Sequence, residues 1–458
     1  GTANAREIKA ACFWNQKRWR EAHLAAASFV TAHPADPRAE LWCARAFQAG
    51  LNALKENPPL ETEQLLAFFD AIAAKRPDDP EVKKIPWYRG YVLIQAGDYA
   101  RAYRSLLGVR NPADPMYRHA QYGIALSCWK QAETFIRAKD ARRTMDYLTR
   151  ALQAVERFVD APVAAVADDK ADRQLTDAVA YLANQVARAL LDQPTPRTDE
   201  VLALVRKLDD SPATRDLRAD GRLTLRIEAE CMKEGPAQAA VRINDYITGT
   251  AGAPVAQAAA NIVSRLEKAY DALAAEGKKK EADELAWHIL RIYEFLLSYV
   301  RKDPGTTPDM EAGIRGRLGQ AYMRLDKYAD AIAHFQSALT RSARSADLMR
   351  GLALACEKTG QFDRAILQWR ALAKGLERGS EGWYEAHYER IRCYMAMKEH
   401  GQARTLLKYY LQYLHPKDAP ESWTEKFKAL DVELGKEEPP ADTVPPAPAH
   451  RDPTDEAP

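Results

Sequence analysis

Leu318-Gly319-Gln320-Ala321-Tyr322 is followed by Tyr328, Ala331, Phe335 and Ala338. The same order returns 34 residues later as Leu352-Ala353-Leu354-Ala355-Cys356, then Phe362, Ala365, Trp369 and Leu372. Apolar residues three and four apart describe a helix face. A turn aromatic followed by a small and then a large apolar residue describes a second helix folded back on the first. A fixed period of this length marks an array of helix–turn–helix units. One such hairpin cannot bury its apolar face alone, so each copy must stack on its neighbours.

Looser copies extend outward from this block. Phe13, Trp19, Ala22, Ala26 and Phe29 fit a turn and second helix, ending at His33-Pro34-Ala35-Asp36-Pro37. Two more elements end alike, at Arg76-Pro77-Asp78-Asp79-Pro80 and Asn111-Pro112-Ala113-Asp114-Pro115. The first proline stops a helix because it lacks an N–H and clashes with the preceding turn. Asp is then placed to cap the next helix, with the second proline at its first position. Between the last two joints, Trp87, Gly90, Gly97, Tyr99 and Ala102 supply another copy. A further copy over 384–416 keeps Tyr394, Ala403, Leu407 and Pro416 but lacks the leading Leu-Gly.

The pattern over 85–115, 312–345 and 346–380, with weaker copies at 4–37 and 384–416, resembles the tetratricopeptide repeat family. That resemblance implies an all-α chain built as a right-handed superhelix of antiparallel helix pairs, an α-solenoid. It divides the chain into N-terminal repeats at 1–115, a degenerate helical region at 116–301, a C-terminal block at 311–434 and a proline-rich disordered tail at 435–458. Helical segments are expected in the middle near 117–138, 142–159, 174–192, 198–208, 222–233, 237–248, 256–275 and 280–301. The tail has too few large apolar side chains to offset the entropy of ordering.

In this family the first helix of each pair lines a concave groove. Carried over slot by slot, that places Gln320, Met323 and Arg324 inside from one pair, and Arg350, Leu354, Glu357 and Lys358 from the next. Tyr388, Arg392 and Met395 follow from the third. Gln320, Arg324, Arg350, Lys358, Tyr388 and Arg392 are the expected partner-binding residues. The count of Arg and Lys over Glu357 makes the groove positive, fitted to a protein or peptide partner that includes an acidic segment. The family's two-carboxylate clamp is not carried over, because Gln320 and Gly316 stand where it needs Asn and Lys.

Composition agrees with a scaffold. Lys and Arg number 66 against 64 Asp and Glu, so no bulk charge drives the chain onto nucleic acid. No run of apolar residues is long enough to cross a membrane. The opening Gly1-Thr2-Ala3 without Met fits either a trimmed start or a processed terminus, so a cytoplasmic and an extracytoplasmic location both stay open. Phosphate-cradling loops, zinc-binding helices and nucleophile elbows are absent from the sequence. The nine histidines show no spacing of four, and no cofactor is expected. The six cysteines are far apart and read as buried small hydrophobes. Trp19, Tyr99, Tyr328, Phe335, Phe362 and Trp369 read as core, and Lys278-Lys279-Lys280 as an exposed turn.

The expected function is a non-enzymatic scaffold that docks partner segments on the concave face. Alternatives are an accessory repeat domain of a larger, membrane-anchored or multi-domain assembly protein, and an enzyme with a pocket in the irregular middle.

Overall fold

The structure is a computed structural model that describes residues 2–56, 58–162, 169–250, 252–414 and 419–436. Pro416 and most of the proline-rich tail lie outside the described residues. Gly435 and Lys436 instead close the helix Glu421–Lys436. Among the described residues the regular structure is entirely helical, and the expected middle segments form at Tyr117–Arg137, Ala141–Asp160, Asp169–Leu191, Thr198–Asp210, Ala219–Lys233, Pro236–Gly249, Ala253–Ala275 and Lys279–Lys302. The chain divides into two compact units, one of 1–239 with 253–258 and the other of 240–252 with 259–458.

One turn recurs in both units. Lys17, Gly97, Lys139, Gly277, Asp326, Gly360 and Lys398 each follow a first helix with φ between 56° and 78°. At Gly360 the N–H donates to the Glu357 carbonyl at 3.0 Å, and the next N–H, of Gln361, donates to the Cys356 carbonyl at 2.8 Å. Lys327 and Glu399 repeat the second bond, to Tyr322 and Tyr394. This left-handed C-cap satisfies two orphan carbonyls and turns the chain straight into the second helix. Glycine is therefore dispensable at this slot but not free to replace. A left-handed conformation costs an L-residue about 1–2 kcal/mol, partly offset by the entropy that glycine loses on folding. Lys398→Gly is expected to stabilise by about 0.5–1 kcal/mol and Gly360→Ala to destabilise by a similar amount. Denaturant unfolding followed by circular dichroism reads both, and a neutral Gly360→Ala would contradict the turn.

The proline joints also behave alike. The carboxylates of Asp36, Asp79 and Asp114 accept from the N–H groups of Arg38, Glu81 and Met116, two residues on, at 2.9, 3.0 and 2.8 Å. Only after Asp79 does the helix begin at the second proline; the helices after Asp36 and Asp114 begin at Ala39 and Tyr117. There the aspartate closes a turn of its own before the helix starts.

Packing explains the residue slots. Phe335 is fully buried, and a Cβ on Gly319 would stand 2.7 Å from its ring; one on Gly351, in the next first helix, would come closer still. The aromatic of one second helix thus wedges between two first helices that must be bare at that height. Ala22, Ala102, Ala331, Ala365 and Ala403 are buried where helices approach closely. Phe335 and Trp369 are core as expected, but Trp19, Tyr99, Tyr328 and Phe362 are only half-buried. They open the second helix beside the turn, where the ring reaches the edge of the stack rather than its middle; the Tyr328 hydroxyl donates to Asp326. Five cysteines are buried, Cys12 is exposed, and all six are free. Burial pushes the Cys43 and Cys128 thiols up to about 12, so neither is a ready nucleophile.

Candidate functional site

The first helices of the C-terminal block run Pro308–Arg324, Ala346–Lys358 and Glu381–Ala396, and they carry all six expected binding residues. Spacings of three and four set each group on one helix face. The carboxylates standing among them were not legible as partners.

Arg324 is held closely. Its side chain is 17% exposed, Nη1 lies 3.3 Å from Glu267, and Nη2 lies 3.5 Å from Asp271. The guanidinium sits 4.6 Å from the Tyr270 ring. All three partners belong to the helix Ala253–Ala275. Arg350 forms a two-pronged pair with Glu385, about one repeat further on, at 2.7 and 2.8 Å. Its pKa is raised, first by that hydrogen bond. Arg392 pairs with Glu389 at 3.0 Å and lies 5.9 Å from the Tyr388 ring. Tyr388 in turn packs edge-on against Trp423 and Phe427 of the last helix, 5.9 and 5.7 Å between ring centres. Gln320 accepts from Arg317 at 3.4 Å, and Lys358 is exposed.

The charge balance therefore differs from the sequence expectation. Arg317, Arg324, Arg350, Lys358 and Arg392 are faced by Glu267, Asp271, Glu357, Glu385 and Glu389, so the surface is mixed and near neutral rather than positive. Burial raises the Glu389 pKa, with Arg392 opposing and Glu357 and Glu385 adding to it. Glu357 is occupied too: it accepts from the Trp369 indole N–H, and Cys393 Sγ lies 3.5 Å away. Glu385 and Glu389 share the heptad-like spacing of Tyr388 and Arg392, and that spacing was the signal that would have found them. Glu267 and Asp271 come from a helix distant in sequence, which no local pattern reveals.

The middle region holds a cleft of about 680 Å³. It lies on the matching faces of Asp169–Leu191 and Ala219–Lys233 and the first residues of Ala253–Ala275. Tyr181, Asn184 and Arg188 line it from one helix face. Arg188 makes a two-pronged pair with Glu228, which is fully buried, and Arg218 holds Asp177 at 2.7 and 2.9 Å. These bonds raise both arginine pKa values, keeping the guanidiniums protonated; neither is a base or a nucleophile. Among the described residues, no three His, Cys, Asp or Glu side chains are grouped to hold a metal. No helix among them is long and apolar enough to cross a membrane.

The sequence model of the tetratricopeptide repeat matches residues 317–380. No curated protein matches. Among solved structures, the Cut9–Hcn1 hetero-tetramer of APC/C aligns over 94% of this chain and 96% of its own, at 13% identity and a TM-score of 0.30. Yeast Tom70 aligns over 95% and 96%, at 11% identity and 0.25. A tetratricopeptide repeat protein from Parabacteroides merdae aligns over 66% and 96%, at 14% and 0.27. Scores this low transfer nothing to this chain. The chain carries tetratricopeptide repeats, matched at 317–380 and built as helix pairs whose turn recurs in both units.

Proposed function

We propose that the chain is a non-enzymatic scaffold that docks a segment of a partner protein across the first helices of its C-terminal pairs. Gln320, Arg350, Lys358, Tyr388 and Arg392 form the contact face, and Arg324 supports it from below. One observation carries this reading. Successive first helices each carry charged groups, and the Arg350–Glu385 pair ties one repeat to the next.

Arg350 and Arg392 are 52% and 55% exposed in their side chains. Exposed pairs of this kind contribute about 0–1 kcal/mol, so an incoming segment exchanges them at little cost. Because the row carries both signs, the partner it fits is a polar segment that includes carboxylates for the arginines and a cation for Glu385 and Glu389. Arginine and tyrosine also supply the rigid, many-contact anchors typical of interface centres.

The test is selection of a displayed library of unstructured peptides on the full chain. Arg350→Glu with Arg392→Glu is expected to lower binding of the selected peptides at least tenfold while helicity stays unchanged. Arg324 is left intact, because a glutamate there would face Glu267 and Asp271 in a half-enclosed place and weaken the fold. Peptides that bind the double variant as well as the parent would place docking elsewhere.

A further inference from the structure

We propose that a second site, separate from the first-helix row, takes the phosphate group of a phosphorylated serine or threonine on a docked partner segment. The proposal rests on the scaffold reading for its partner, and on its own geometry for the ligand. The site is a cleft of about 450 Å³ between the ends of Lys279–Lys302 and Tyr328–Leu339 and the start of Pro308–Arg324.

Three guanidiniums line it from three different elements: Arg301, Arg315 and Arg341. The acidic groups in the lining are Asp303 and Glu311, which leaves the cleft one positive charge in excess. Both carboxylates are already engaged. Asp303 accepts from the Gly305 N–H at 2.9 Å. A single oxygen of Glu311 accepts from Arg301 Nε at 3.1 Å and from Arg315 Nε and Nη2 at 3.0 and 2.8 Å. The two arginines depress the Glu311 pKa, so this carboxylate stays ionised and holds both in place. Converging on one oxygen leaves the other N–H groups of both forks for a further acceptor, since each guanidinium has five.

The plain alternative is that Arg301 and Arg341 merely complement the negative ends of their helices. Two observations go beyond it. Arg341 lies past the end of its helix and makes no ion pair among the described residues. The Thr306 hydroxyl oxygen is buried without a hydrogen-bond partner, in the same lining. A buried hydroxyl left unpaired costs about 1–3 kcal/mol, and a ligand acceptor relieves it once the Thr306 side chain rotates to expose its oxygen to the cleft. Thr307 caps the following helix through its oxygen, which accepts from Met310 N at 3.3 Å and leaves its proton free to donate. Guanidiniums from three directions plus hydroxyl donors suit a tetrahedral group with three acceptor oxygens. A planar carboxylate offers two, and Glu311 already fills that role.

The experiment is calorimetric titration of the full chain with N-acetyl-phosphoserine amide, inorganic phosphate and N-acetyl-glutamate amide, and with a peptide library of fixed central phosphoserine. The phosphoserine probe is expected to bind at least tenfold tighter than the glutamate probe, with library peptides tighter again. Arg341→Ala, which breaks no ion pair among the described residues, is expected to weaken both phosphate-bearing probes about tenfold, as loss of a charge-assisted hydrogen bond does. Thr306→Val gives an independent loss in the same direction. Equal binding of the glutamate probe overturns the phosphate assignment. Inorganic phosphate binding as tightly as every phosphopeptide overturns the protein source, and an unchanged Arg341→Ala means an adventitious ion only. The Arg350→Glu, Arg392→Glu variant must keep the phosphate response. If displayed peptides bind the row while these titrations stay blank, this inference fails and the scaffold reading stands.

Discussion

Trp369→Ala lowers the stability of the C-terminal pairs by about 3–5 kcal/mol, the range for removing a large buried aromatic. The side chain is completely enclosed in the cluster that holds Leu352, Cys356, Ala365, Leu372 and Cys393. Its loss does more than open a cavity. The indole N–H donates to Glu357, whose environment already includes Cys393 and Glu389, so the carboxylate loses its donor in a crowded acidic corner. Trp369→Phe is expected to cost less, because it keeps most of the volume and loses only the donor. Hydrogen exchange is the suitable measurement, since it localises the opening. Amides of Ala346–Lys358 and Phe362–Gly375 should exchange faster by two to three orders of magnitude, while those of the N-terminal pairs hold. Protection unchanged in these helices would sink the repeat-slot reading.

Glu228→Ala is the second large effect, about 3 kcal/mol or more, and it acts in the other unit. Glu228 is wholly buried and takes both prongs of Arg188, whose side chain is 32% exposed. Breaking a buried pair by removing one partner leaves the other charge uncompensated and costs about 3–5 kcal/mol. Partial exposure of Arg188 sets the expected value at the low end. The companion variant separates the pair's worth from the cost of breaking it. Replacing both residues with leucine is expected to restore most of the loss, because well-packed apolar residues often equal a buried pair. Urea unfolding of the single and double variants measures this. A double variant as weak as Glu228→Ala would mean that Glu228 serves the fold through its other contacts.

How far the sequence reached is clearest in the turns. Gly97 was named in the sequence pattern, but Gly277 and Gly360 were not, and Lys17, Lys139, Asp326 and Lys398 adopt the same left-handed geometry without glycine. The packing of the two helices imposes that conformation, and local propensity alone does not reveal it. Helix positions in the middle region were legible because amphipathic spacing survives even where the aromatic and glycine slots do not. The helix positions of the expected site residues were legible, but their charge partners were not. Arg324, Arg350 and Arg392 sit on the expected helices, and Glu389 answers Arg392 from its own helix, yet the carboxylates that answer Arg350 and Arg324 come from the next repeat and from a helix more than fifty residues away in sequence. The Arg301–Arg315–Arg341 cleft was not visible at all, because its members stand on three elements with no shared spacing.

Sequence by itself determined the helices, their pairing and the slots that must be small or aromatic. Those follow from periodic burial, which every residue reports locally. Tertiary structure decided which charges meet. Ion pairs and unpaired donors depend on which side chains stacking brings within a few ångströms, and Coulomb interactions are settled by distance rather than by order along the chain.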